Sequence, residues 1–590
     1  MPKGFEKSGY MANFNEINLI TDMRSFLLSI ACLLAAGTLA SAQAPVVEMK
    51  DPHPTSTEVW NNVKTTGFGW GSIDVRYKKD AVPTLGKALS LNGWRGERVN
   101  AQAVLVAPEA VGSFEVSSSD LKCGKSVIPS SAIDKYFATY VMGEVIFKGD
   151  SVLAADRLVR AGKMAVEAKT VRPVWVTVNI PRDAAPGKYK GTLSAKADGK
   201  SFTIPYTLEV SKRVLPEPKD WNFHLDLWQN PYAVARVFDV PLWSKEHFDA
   251  MRPIMEYLAS AGQKVITASI FQYPWNKQTE DPFESMVGKF KGVDGSWKYD
   301  YSVFDKWVEF MMSCGIDRQI DCYSILPWHL TFEYFDCATN FSVAKRMEPG
   351  SKEYEDYLLP FLKDFAKHLK AKGWFDRTCL AMDERPKELL EHAYAIVHKA
   401  DKNFKIEGAI NYFGPEVAER MYDISFALRP GLPVQMKPEE VASHHANGKK
   451  VTFYTCCSPQ RPNTFTDSAP AESAYLGWYA AATGYNGYLR WAYNSWVKNP
   501  CEDSRFRTWR AGDCYLVYPD GPSICSQRLI EGIQDCEKIR IVREGLDAKK
   551  AALLDAQLQK IVDIDWEKST DAEAAKVIND AKATLRALEK

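Results

Sequence analysis

Two adjacent carboxylates, Asp383 and Glu384, close the apolar run Thr378-Cys379-Leu380-Ala381-Met382 and are followed at once by Arg385-Pro386. Such a pair can move protons to and from a reacting group or stabilise a developing positive charge. The apolar run reads as a buried strand. Pro386 cannot continue a central strand and holds Arg385 in an extended or turn conformation. The pair therefore sits where a strand runs out. In a barrel of alternating strands and helices, that end carries catalysis. Taken alone, the same pair is equally well a solvated acidic corner, so the rest of the chain has to decide.

Strand-like runs over residues 223–228, 265–271, 319–325, 378–382, 406–412, 424–428, 451–456 and 487–492 alternate with helical patterns at 244–261, 301–314, 353–372 and 387–400. Eight such units predict a (β/α)8 TIM-like barrel over residues 220–545, with an amphipathic last helix at 531–544. The Pro-rich stretch Val214-Leu215-Pro216-Glu217-Pro218 marks a boundary before it. Residues 44–215 carry short strands, at 46–49, 101–106, 114–116, 172–180 and 202–210, separated by turn signals such as Ala185-Pro186-Gly187. That spacing predicts an N-terminal β-sandwich. A glycan-binding role for it is weighed against a structural appendage packed on the barrel, and the appendage is preferred. Residues 546–590 predict two short C-terminal helices.

Lys+Arg and Asp+Glu are both 74 in 590 residues, which gives no electrostatic reason for a nucleic-acid partner or an anionic membrane surface. Arg24, the apolar run from Phe26 to Ala36 and Ala40-Ser41-Ala42 have the form of a signal peptide cleaved after Ala42, within an N-terminal extension over residues 1–42. The run is too short for a stable membrane span. The expectation is an exported protein, periplasmic or secreted, with a lipid anchor at Cys32 the weaker alternative. Eleven cysteines would remain after cleavage, an odd number that points to mostly buried free thiols. No HExxH, P-loop, CxxC or helix-opening GxGxxG is present, so neither a metal nor a cofactor is expected. The oligomeric state is left open.

The strand ends are aromatic and amide-rich. They read Trp228-Gln229-Asn230, Gln272-Tyr273-Pro274-Trp275, Pro327-Trp328-His329, Asn411-Tyr412-Phe413 and Trp491-Ala492-Tyr493-Asn494-Ser495-Trp496. Each aromatic taken singly is a core residue first. Their recurrence around two carboxylates suits a neutral, polyhydroxylated ring. Trp228, Tyr273, Trp328, Asn411, Tyr412, Trp491, Tyr493 and Asn494 are therefore candidate sugar contacts. Cleaving a glycosidic bond needs an acid for the leaving oxygen and a group to stabilise the anomeric cation, usually a second carboxylate ~5–10 Å away. The seventh and eighth strands contain no Asp or Glu. The alternative is attack by the substrate's own 2-acetamido oxygen, which forms an oxazoline and needs one acid/base and one neighbouring carboxylate. Consecutive strand residues face opposite ways, so a kink must bring both carboxylates to one side.

Asp383-Glu384-Arg385-Pro386, the block from Gly487 to Trp496 and Gly512-Asp513-Cys514-Tyr515-Leu516-Val517-Tyr518-Pro519 resemble glycoside hydrolase family 123, from about residue 100 to residue 544. The resemblance implies an exo-acting, retaining β-N-acetylgalactosaminidase that uses substrate assistance on β-linked N-acetylgalactosamine of glycans or glycolipids. It implies that Asp383 polarises the acetamido group and Glu384 is the general acid/base. It implies further that Asn411 and Tyr412 meet the acetamido group and that Trp491 floors the sugar. Arg385 is expected to point away and brace the loop. Two alternatives stay open: a conventional two-carboxylate retaining glycosidase, and an exported glycan-binding protein without turnover.

Overall fold

Along the strand Lys200–Val214, Ile204, Tyr206, Leu208 and Val210 turn inward while Pro205 and Glu209 stay out, the period of two that buries one face of a sheet. This strand belongs to a seven-stranded sheet that faces a five-stranded one, with Phe114, Phe137, Tyr189 and Leu193 among the residues between them. The structure is a computed structural model that describes residues 46–54, 57–144, 150–411, 415–432 and 435–589. The proposed signal peptide lies outside them. Two strands of the five-stranded sheet, Arg98–Ala107 and Thr170–Asn179, are buried on both faces. The helix Ile524–Arg543 covers their second face. The Arg98 N–H donates to Gln534 Oε1 at 2.9 Å, Asn100 Nδ2 donates to Glu531 Oε2 at 3.2 Å, and Lys538 pairs with Glu97 at 2.7 Å. The sandwich thus buttresses the last barrel helix, as the appendage reading expects. The strand expected over residues 46–49 does not form. Glu48 is held there by ion pairs to Arg172 and Lys79, so its side chain fixes the segment in place of a ladder.

Eight parallel strands follow: β1 (His224–Leu227), β2 (Val265–Ser269), β3 (Gln319–Tyr323), β4 (Thr378–Met382), β5 (Lys405–Ile410), β6 (Asp423–Ala427), β7 (Lys450–Tyr454) and β8 (Gly487–Arg490). Neighbours pair in order from β2 to β8, and β8 pairs with β1. A bridge between Leu225 and Gln263, with the Lys264 N–H on the Leu225 carbonyl at 3.0 Å, all but closes the barrel. Every strand anticipated in the barrel is present. The helices Lys245–Ser260 and Lys352–Lys372 start where Ser244 and Ser351 accept a backbone N–H, and the second stops at Gly373, whose φ is 71°. The last barrel helix starts earlier than expected, because Ser523 caps it. Helices Ala548–Val562 and Asp571–Leu588 pack on the barrel helix Pro470–Thr483. Among the described residues, no helix is long and apolar enough to cross a membrane.

A four-stranded sheet of two hairpins, inserted after β2 and β3, was not anticipated. Its strands are short and partly exposed, so they carry little alternation. Trp297 anchors it edge-on against Tyr357 of the helix Lys352–Lys372, 5.4 Å between ring centroids.

The barrel interior is unexpectedly polar towards the starts of its strands. Gln319 Nε2 donates to Asp321 Oδ1 at 3.0 Å and to Asp423 Oδ2 at 2.9 Å, and His224 Nε2 lies 2.8 Å from Asp423. Burial pushes Asp226 up to about 8 and drives Asp321 and Glu407 well above the ordinary carboxylate range. Burial would raise Asp423 as well, but His224, Lys450 and Gln319 outweigh it and hold Asp423 down at about 2.

Candidate active site

Strand β4 stops at Met382, so Asp383 and Glu384 stand on the bend that follows it, where strand alternation no longer applies. Both line one cavity of about 200 Å³ at the C-terminal end of the barrel. Their surroundings differ. Trp328 Nε1 donates to Asp383 Oδ2 at 2.9 Å. Desolvation by the cavity walls pushes Asp383 up to about 6, more than Trp328 and the Glu384 N–H can offset, and the Glu384 charge adds to the rise. Glu384 is gripped from two other strands. The Tyr454 hydroxyl, from the end of β7, donates to Oε1, and Asn411 Nδ2, just past β5, donates to Oε2 at 3.0 Å. Burial and the Glu384 carboxylate raise the Tyr454 phenol far above its ordinary value, so it remains a donor.

Tryptophans build much of the wall. Trp228 stacks on Trp275 at 4.8 Å, and Tyr323 packs beneath both at 4.5 and 4.8 Å. Trp491 meets Trp509 edge-on at 5.7 Å, and its Nε1 donates to Asp513 at 3.0 Å. Arg385 does not line the cavity. Its guanidinium lies over the Trp328 ring, 5.5 Å from the centroid, and donates to the Trp328 carbonyl at 3.4 Å, so it braces the loop as expected. Cys456 and Cys457 also line the cavity, their Sγ atoms 3.8 Å apart. The eleven described cysteines are all free, five of them buried.

The structure therefore brings Asp383, Glu384, Trp228, Trp328 and Trp491 to the cavity and sets Asn411 behind Glu384. Tyr412 lies outside the described residues. Three candidates are corrected. Tyr273 adopts a positive φ of 49° and turns its ring to Lys277, leaving the cavity to Trp275 two residues on. Tyr493 is buried, with its hydroxyl on the Ile254 carbonyl at 2.8 Å. Asn494 commits its amide to the backbone of Asn230, at 2.9 Å for both bonds. Both polar groups are consumed in joining β8 to the surrounding core. Sequence reasoning missed Trp275, Tyr454, Trp509 and Asp513. Trp275 and Asp513 lie inside the aromatic and Gly-Asp motifs of the sequence, whereas Tyr454 sits in the β7 run, which carries no carboxylate to mark it.

The family profile described as "Glycoside hydrolase 123, catalytic domain" matches residues 228–542, and "Glycoside hydrolase 123 N-terminal domain" matches residues 70–197. A solved family 123 glycoside hydrolase from Clostridium perfringens, studied for glycolipid glycan hydrolysis, superposes with a TM-score of 0.82 at 27% identity. That match covers 89% of this chain and 99% of the other. A GH10 xylanase with a bacterial Ig-like domain from termite gut aligns loosely, with a TM-score of 0.32 at 10% identity over 76% of this chain and 100% of its own. A Bacteroides uniformis β-glucuronidase does so at 0.27 and 10%, over 73% and 49%. No curated protein matches by sequence.

Proposed function

The chain belongs to glycoside hydrolase family 123, and from that premise we propose that it releases terminal β-linked N-acetylgalactosamine by substrate-assisted, retaining hydrolysis. The observation that carries the reading is the shared cavity, into which two neighbouring carboxylates project from different environments. Carboxylates whose surroundings differ take different roles. Asp383, ionised above about pH 6, accepts the acetamido N–H and sharpens the carbonyl oxygen as a nucleophile. That oxygen attacks the anomeric carbon while Glu384 gives its proton to the departing glycosidic oxygen. The positive charge formed on the oxazolinium faces Asp383. Glu384, now a carboxylate, takes a proton from water, which opens the ring on the face the leaving group left, and the configuration is retained. Tyr454 and Asn411 orient Glu384 through both steps, and the tryptophan walls hold the sugar.

The cavity, at about 200 Å³, is smaller than the ~300–1,000 Å³ of drug-sized sites, which supports one terminal sugar and exo action. The similarity to the Clostridium perfringens enzyme supports glycolipid glycans as the substrate class. The test is release of 4-nitrophenol from its β-N-acetylgalactosaminide and its β-galactoside. The acetamido sugar is expected to turn over alone, with an acidic limb near pH 6. Glu384→Gln and Asp383→Asn are each expected to lower kcat about 10²–10⁴-fold. Comparable turnover of the β-galactoside would sink substrate assistance in favour of a conventional nucleophile, and binding without any turnover would favour a glycan-binding protein.

A further inference from the structure

Asp513 lines the same cavity although it belongs to the segment after β8, and it is fully buried. Its Oδ1 accepts from Arg490 Nη2 at 3.1 Å and from Trp491 Nε1 at 3.0 Å. Its Oδ2 has no partner among the described residues. The same is true of Nε1 of Trp275, a second buried lining residue. Leaving buried polar atoms unpaired is unfavourable, so such atoms ask for an explanation. Here one is an acceptor and the other a donor. A hydroxyl group satisfies both kinds, because it donates and accepts. The carboxylate is held ready for such a contact. Arg490, itself buried, is fixed in turn by Asn463 Oδ1 at 2.9 Å and Thr455 Oγ1 at 3.2 Å.

Topology says which hydroxyl. In the strand order, β8 lies four strands from β4 in either direction, so Asp513 and Trp491 face the Asp383–Glu384 bend across the barrel mouth. A pyranose that keeps its anomeric carbon and acetamido group at Asp383 and Glu384 sends C4, the ring atom opposite C1, towards β8. We propose that Asp513 is the specificity-determining residue of this site, its Oδ2 accepting a hydrogen bond from the 4-hydroxyl of the terminal sugar. This rests on the function proposed above and adds the contact that separates galacto from gluco sugars, which differ only in the direction of that hydroxyl.

The experiment measures kcat/KM of wild type and Asp513→Asn on the aryl β-N-acetylgalactosaminide and on its 4-deoxy and 6-deoxy analogues. Asparagine keeps an oxygen for Arg490 and Trp491, and the wild-type analogue series stands even if the variant folds poorly. In wild type, loss of the 4-hydroxyl is expected to lower kcat/KM about 100-fold or more, the rejection typical of a site built to bond a hydroxyl. Loss of the 6-hydroxyl should matter far less. In Asp513→Asn the 4-deoxy penalty should shrink at least about tenfold, the coupling that a purely structural role does not produce. An equal 4-deoxy penalty in both enzymes overturns the inference, as does a larger penalty for the 6-deoxy sugar. Abolition of all turnover in a folded Asp513→Asn also overturns it, because Asp513 would then serve the reaction itself. Wild-type turnover without a 4-deoxy penalty removes this inference alone. Absence of any wild-type turnover of the acetamido sugar removes the proposed function and this inference with it.

Discussion

Asp226, Asp321, Glu407 and Asp423 are enclosed by the barrel strands, whereas Asp383, Glu384 and Asp513 line the cavity at its mouth. Three of the enclosed four are raised further than Asp383. Asp226 is pushed up to about 8 by burial and Asp321 and Glu407 rise well above their ordinary range, against about 6 for Asp383. Perturbed acids mark functional sites only on average. Here perturbation alone would choose the wrong group. Gln319, His224, Tyr323 and Trp228 bond the enclosed acids, one oxygen each of Asp226 and Glu407 having no partner among the described residues, and none of the four acids lines the cavity. The two sets meet at the cavity floor. Trp228 faces the cavity, yet its Nε1 donates to Asp226 at 3.2 Å, and Tyr323, packed against Trp228, donates to Glu407 at 3.1 Å. The interior acids hold the floor still, and access is what separates them from the acids proposed to do chemistry.

The contrast breaks most visibly at Asp423, the interior acid that stays charged. Replacing it by Asn strips His224, 2.8 Å away, of its buried carboxylate partner. Burial, with the Lys450 charge, lowers His224 below its ordinary value, so what is lost is a hydrogen bond to a charged carboxylate, and a loss of about 1.5–3 kcal/mol in unfolding free energy is expected, measured by urea denaturation, with KM of the folded enzyme unchanged. A stable variant with a raised KM would place Asp423 in the site and dissolve the distinction.

The next effect has the opposite sign. Asp383 titrates at about 6 when folded, against an ordinary value of 3.8. Between these values the folded state holds more protons than the unfolded one, so stability falls as pH rises and levels off above about 6. The charged form therefore costs the folded protein at most about 3 kcal/mol at pH 8, at ~1.4 kcal/mol per pH unit. Asp383→Asn avoids that cost. It should melt higher than wild type at pH 8 and show no advantage near pH 4, while losing turnover at pH 8. An advantage of equal size at both pH values would mean that charge at Asp383 is not its source.

Much of this arrangement was legible in the sequence because it is local. The apolar run to Met382, broken by Pro386, marked where Asp383 and Glu384 must stand, and Trp228, Trp328 and Trp491 followed from their places at strand ends. What stayed hidden depends on contacts between distant segments. Nothing near Tyr454 announces that its hydroxyl reaches Glu384, and Tyr493 differs from Trp491 only in which wall its ring meets. The interior acids were hidden for another reason. Asp226, Asp321 and Glu407 sit singly in runs that read as apolar strands, and only closure of the barrel gathers them.

Glu407 gives the smallest effect and the sharpest discrimination. Burial first, and the neighbouring acids Asp321, Asp423 and Asp226 next, keep its carboxyl well above the ordinary range, which favours its neutral form. A neutral carboxyl and a carboxamide have nearly the same shape, and both offer an oxygen to the Tyr323 hydroxyl. Glu407→Gln should therefore change unfolding free energy by less than about 1 kcal/mol, the worth of one ordinary hydrogen bond, and leave the tryptophan floor and KM in place. A loss comparable to that of Asp423→Asn would mean that Glu407 carries a charge inside the barrel. The interior would then hold two anions beside His224 and Lys450, and its difference from the cavity would lie in charge balance rather than in access.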